Sequence, residues 1–124
     1  MATDCKLGAM RRFAAVLLLF VACATSSEVD TLYFGTARAN GVVSDAEWKT
    51  FVAEVIAPIF PGFTEWNATG HWRGAEEATH VVQIVHLPRQ ANDHDITRII
   101  SEYKRRFDQE SVFWVRGRGF VAPQ

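Results

Sequence analysis

The sequence predicts one α+β domain: a four-stranded antiparallel sheet with two helices on one of its faces. Three observations lead there. Two segments carry apolar residues at helical spacing, one from Trp48 to Ile59 and one from Ile96 to Phe107. Four segments rich in β-branched and aromatic residues flank them, in the order strand, helix, strand, strand, helix, strand. A chain of 124 residues, 48% hydrophobic and 22% charged, has room and composition for one globular core and no more.

The elements can be justified in order. Residues 1–24 read as an export leader. Arg11 and Arg12 precede the apolar run FAAVLLLFVACA, whose 12 residues fall short of the roughly 20 a bilayer-crossing helix needs. Cleavage after Ala22-Cys23-Ala24 and lipidation of Cys23 in the box Phe20-Val21-Ala22-Cys23 both fit, as do starts at Met1 and Met10. Residues 25–30 read as a polar tether, and residues 31–116 as the domain. Thr31–Thr36 is an aromatic, β-branched strand. Ser44-Asp45-Ala46-Glu47 is a capping box, so Ser44 is a helix cap and not a nucleophile. Behind it Trp48, Phe51, Val52, Val55, Ile56 and Ile59 predict a helix over 45–57, stopped by Pro58 and Pro61.

Phe63–Trp72 is a Thr- and Trp-rich strand, with Gly74–Ala78 as a turn. Thr79–Leu87 is the clearest strand and is closed by Pro88. Ile96, Ile99, Ile100, Tyr103 and Phe107 predict a helix over 94–107, capped by Asp93 or Asp95, with a basic end that suits the helix dipole. Ser111–Arg116 is a last strand, and 117–124 a loose tail. Within the supersecondary menu, β-α-β-β-α-β is the ferredoxin-like split βαβ.

Composition excludes several classes. Residues 25–124 carry 10 Lys or Arg against 13 Asp or Glu, so no basic patch seeks nucleic acid. Both cysteines, Cys5 and Cys23, lie in or at the leader, which leaves the domain without disulfide or thiol chemistry. No Ser-His-Asp spacing, phosphate loop or zinc signature occurs. His80 and His86 share a strand face but are about 20 Å apart at ~3.3 Å per residue. His71 and His80 would need to meet across a hairpin and find a third ligand, and His94 stands elsewhere. The expectation is no metal and no cofactor. Asn67-Ala68-Thr69 is a sequon by letter only.

Read together, LYFG at Leu32–Gly35, VSDAEW at Val43–Trp48, IAPIFPGFT at Ile56–Thr64, GHW at Gly70–Trp72 and YKRRFDQESV at Tyr103–Val112 resemble a bacterial family, domain of unknown function 3574. The resemblance runs from about Leu32 to Val115. It implies a short exported protein or lipoprotein, periplasmic or lipid-anchored in the cell envelope, and implies no activity, cofactor or catalytic residue.

The strands carry the functional reading. Val82 and Ile84 face one way, and Val81, Val85 and Leu87 the other. Val112 and Trp114 oppose Phe113 and Val115, and Leu32 and Phe34 oppose Tyr33. An antiparallel sheet wetted on one side should alternate apolar and polar. This one is apolar on both, which predicts a covered second face. Its occupant is expected to be a second copy of the chain, or otherwise a small apolar or aromatic ligand. Membrane contact is expected only through the leader or a lipid on Cys23. The primary expectation is a non-catalytic cell-envelope interaction module that dimerises through its sheet. The alternative is a small cofactor-independent enzyme resembling the antibiotic-biosynthesis monooxygenases. In that case Tyr33, Trp66, Trp72, His86 and Trp114 would line an aromatic cleft on the open face, with His86 handling a proton. Glu110 is either a base facing a pocket or a structural partner of Arg105 or Arg106.

Overall fold

The computed structural model describes residues 25–121. The expected leader, with Cys23 and the alternative starts Met1 and Met10, lies outside the described residues. The chain forms β1 (Thr25–Gly35), a short ribbon of β2 (Ala37–Arg38) and β3 (Gly41–Val42), and α1 (Asp45–Phe51), which runs on into a π-helical turn (Val52–Ile56). Then come β4 (Thr64–Trp72), β5 (Ala75–His86), α2 (Gln90–Phe107) and β6 (Phe113–Val121). It is an α+β architecture in which β4-β5-β1-β6 form one four-stranded sheet, all neighbours antiparallel.

Strand alternation assigns the two faces. Leu32 and Phe34 of β1 and Val82 and Ile84 of β5 are fully buried beneath the helices, with Trp48, Phe51, Ile56, Ile96, Ile99 and Tyr103. Each such side chain contributes about 1.5–3 kcal/mol on burial. Phe34, Phe51 and Tyr103 meet edge to face at 4.8–6.0 Å between centroids. Burial pushes the Tyr103 phenol well above its usual range, and its hydroxyl donates to Gly35 O at 2.7 Å. That bond ties α2 to the end of β1.

The expected capping box is present: Glu47 N donates to Ser44 Oγ at 3.2 Å and Ser44 N to Glu47 Oε2 at 2.8 Å. The helix behind it departs from the simple expectation over 45–57. From Val52 to Ile56 it widens to π geometry, Ala57 N donating to Val52 O. The wider turn keeps both Val55 and Ile56 buried.

Four boundaries differ from the sequence reading, each for a pairing reason. Residues 25–30 are not a tether but the first half of β1. Residues 117–121 are not tail but the second half of β6, and the two segments pair in register from Thr25↔Val121 to Asp30↔Arg116. β5 begins at Ala75 instead of Thr79, because Arg73 and Gly74 alone make the hairpin turn, with φ of 50° and 81°. Two positive-φ residues are what a two-residue turn between twisted strands requires. Residues 74–78, read as a turn, thus contribute a turn residue and four strand residues. Finally α2 starts at Gln90. Neither Asp93 nor Asp95 caps it; Arg89 holds the N-cap position without a side-chain cap bond, and Asp93 turns to Arg116 instead.

Candidate functional site

The face away from the helices is built from alternate residues of all four strands. Cross-strand register sets Trp66, Val81, Tyr33 and Phe113 in one row, and Thr64, Gln83, Thr31 and Val115 in the next. Val29 and Val85 pair in the third. Val81 is fully buried at the centre, while Tyr33 is 38%, Trp66 43% and Phe113 68% exposed. The Tyr33 and Phe113 rings meet at 5.9 Å. None of these ten side chains is charged. Apolar and aromatic side chains fill the first and third rows of this open face, as the strand pattern predicts, while Thr64, Gln83 and Thr31 make the second row mostly polar and Glu77, in phase with Val81, stands over Gly35 toward one end.

The candidate site residues do not come together as one cleft. Tyr33 and Trp66 share the open face. Trp72 has the same strand phase as Trp66 but lies six residues further along β4, at the hairpin end. There it is 69% exposed, with the Arg73 guanidinium 5.4 Å from its ring. Glu110 is exposed in the α2–β6 connection and makes no hydrogen bond or ion pair among the described residues. Arg105 and Arg106, its suggested partners, bind Glu102, and Arg106 also binds Glu54. His86 and Trp114 have the opposite phase and point under the helices.

What His86 and Trp114 touch is a polar centre that the sequence reading passed over. Asp30 is fully buried on the helix side of β1. Its Oδ1 accepts from Trp114 Nε1 and Arg116 Nε, both at 2.8 Å, and its Oδ2 from His86 Nε2 at 2.5 Å and Arg116 Nη2 at 3.0 Å. Burial pushes the Asp30 carboxyl up, but the bonds from Arg116, His86 and Trp114 outweigh it and hold the group below its ordinary 3.8. With Nε2–H directed at Asp30, His86 Nδ1 accepts from the Asn92 amide at 2.7 Å. Arg116 also reaches Asp93 at 2.6 Å and Glu28 at 3.4 Å. Both nitrogens of His86 are thus engaged, so the ring holds β5, β1 and the start of α2 together and has no free atom for a substrate. The signal in the sequence was Asp30 standing in phase with Leu32 and Phe34: a carboxylate at a core position needs partners.

At the other end of the same side lies a solvent-open cavity of about 340 Å³, lined among others by Val43, Asp45, Asn67 and His80. His80 is 8% exposed and stacks flat on Trp48, 4.3 Å between centroids and 4° between planes. Its Nδ1 lies 2.8 Å from Asn67 Oδ1. Burial lowers its pKa from 6.5, against the opposing pull of Asp45 and Glu65. His71 does not meet His80, since it pairs across the hairpin with Glu76. No group of three or more His, Cys, Asp or Glu among the described residues is placed to hold a metal ion.

Comparison with known proteins gives two kinds of likeness. A phage SAM lyase in its apo state is 17% identical with a TM-score of 0.54, over 90% of this chain and 87% of that one. A phage SAM lyase in complex with S-methyl-5'-thioadenosine is 14% identical with a TM-score of 0.53, over 94% and 97%. At these identities the likeness is one of fold. No curated protein matches the chain. The family model of a protein of unknown function, DUF3574, matches residues 29–122. That span takes in the capping box, both helices, the aromatic face and the Asp30 centre, and the chain belongs to the DUF3574 family.

Proposed function

We propose that this chain is a non-catalytic interaction module of the cell envelope that pairs with a second copy of itself through the open face of its sheet. The observation that carries the reading is the uncharged, apolar band of Trp66, Val81, Tyr33, Phe113, Val115 and Val85. In a two-fold contact each residue meets its own patch, so like charges would oppose one another. A patch without charge avoids that cost. Four strands about 4.8 Å apart and some nine residues at ~3.3 Å each give a footprint of about 20 by 30 Å. That is the scale of a standard interface of about 800 Å² per partner once side-chain relief is counted. The ferredoxin-like assignment belongs to the same proposal. Each β-α-β half supplies one inner strand, β1 or β5, and one outer strand, β4 or β6, with the β2–β3 ribbon as an insertion. An exported, periplasmic or lipid-anchored setting rests on the leader's charge and apolar run.

The test is sedimentation equilibrium of the purified protein at micromolar concentration. A dimer is expected, and Phe113→Lys should give a folded monomer. A wild-type monomer across that range overturns the reading.

An enzymatic reading has one supporting observation, the fold shared with phage SAM lyases. The aromatic cleft it required on the open face loses His86 and Trp114 to the Asp30 centre, which favours the module.

A further inference from the structure

We infer that the cavity beside His80 is a binding site for a small protonated amine, independent of the sheet face on the other side of the molecule. Four features converge there. Its volume of about 340 Å³ lies within the range of about 300–1,000 Å³ typical of small-molecule sites. Its walls combine apolar Val42, Val43 and Ala78 with polar Asp45, Asn67 and His80.

The second feature is an unused lone pair. His80 is more than nine-tenths buried. Its Nδ1–H donates to Asn67 Oδ1 at 2.8 Å, which makes Nε2 an acceptor. Among the described residues Nε2 has no hydrogen-bond partner, and it is not sealed away from solvent. A ring nitrogen of a cavity-lining histidine that has no partner among the described residues is open to a donor from a ligand.

The third feature is rigidity. The ring lies flat on Trp48, and Trp48 is itself fixed by Nε1 donating to Glu65 Oε2 at 3.0 Å. The acceptor is therefore held in place before any ligand arrives.

The fourth is charge. Asp45 and Glu65 both act on the His80 ring, and Asp45 lines the cavity without an ion pair among the described residues. No Lys or Arg among the described residues lines it. An anion would meet a carboxylate and a lone pair, whereas an ammonium group can donate one N–H to Nε2 and another to Asp45. A metal ion would find a single imidazole and, among the described residues, no group of three or more His, Cys, Asp or Glu to complete its shell.

The test follows the His80 imidazole by long-range ¹H–¹⁵N NMR on the full protein, titrated with tyramine and putrescine, with acetate and inorganic phosphate as controls. A saturable shift of Nε2 with an amine and none with the anions is expected. Asp45→Asn should keep the fold and weaken the amine about tenfold, the loss of one charge-assisted bond. His80→Phe should abolish binding. The proposal is overturned by an Nε2 resonance indifferent to both amines. It is equally overturned by an equal response to the anions, or by Asp45→Asn binding as tightly as the wild type. None of these outcomes depends on whether the protein is a monomer or a dimer.

Discussion

Asp30 concentrates more of this fold in one side chain than any apolar residue does. It receives four hydrogen bonds from three residues on β5 and β6, and without them its burial would be prohibitive. Asp30→Ala leaves Arg116, His86 and Trp114 without their acceptor. It is expected to cost about 3–5 kcal/mol, read from urea denaturation, whereas Trp114→Phe removes one bond and should cost about 1 kcal/mol. Acid titrates the fold in two windows. Burial lowers the His80 pKa from 6.5 in the folded state, partly countered by Asp45 and Glu65, while the unfolded chain keeps the ordinary value. The unfolded state thus binds the proton first, and stability falls as pH drops below about 6.5. Asp30 has its carboxyl pKa depressed from 3.8, so its contribution is present above that value and is lost on going lower. Denaturation midpoints should therefore fall between about pH 7.5 and pH 5.5 in the wild type and stay level in His80→Gln. An unchanged wild-type midpoint over that interval contradicts the first window.

At the scale of elements, the hairpin between β4 and β5 shows what local sequence can and cannot announce. Arg73 adopts φ of 50° beside Gly74 at 81°, a conformation Asn reaches more easily than Arg. Arg73→Asn is expected to raise stability by about 0.5–1 kcal/mol, measurable as a higher melting temperature with the sheet unchanged. Arg-Gly is not the usual signature of such a turn, and Ala75, Glu76, Glu77 and Ala78 are poor strand formers, so the start of β5 could not be read locally. Long-range pairing decides it: Glu77 crosses over Gly35, where a Cβ would lie 2.7 Å from its carboxylate, to accept from Ala37 N. The same holds for Thr25–Asp30 and Gly117–Val121, which look polar or loose alone and become strands against each other. By contrast the Ser44 capping box, the apolar stripe of α2 and the two-sided greasiness of β1, β5 and β6 were all legible, because each rests on near neighbours. The candidate site was half legible. Phase alone placed Tyr33 on the open face and set Trp114 opposite Phe113. What phase cannot supply is the partner: nothing near His86 or Trp114 in sequence announces that their acceptor is Asp30, on a segment that looks like tether when taken alone.

For the whole molecule, the proposed pairing through the open face sets the behaviour expected in solution. Trp66→Glu, on an outer strand and already 43% exposed, should leave the urea midpoint of the monomer nearly unchanged and lower the self-association constant by at least tenfold, as like charges are forced together across the two-fold. Gel filtration coupled to light scattering checks it. The pairing of Thr25 with Val121 has a further consequence for geography. Both ends of the described chain leave the sheet at one extremity, where Leu87 and Phe120, 45% and 74% exposed, also stand. A fluorophore or affinity handle attached at either end would therefore sit beyond the tips of the strands and leave the broad flank of the sheet unobstructed.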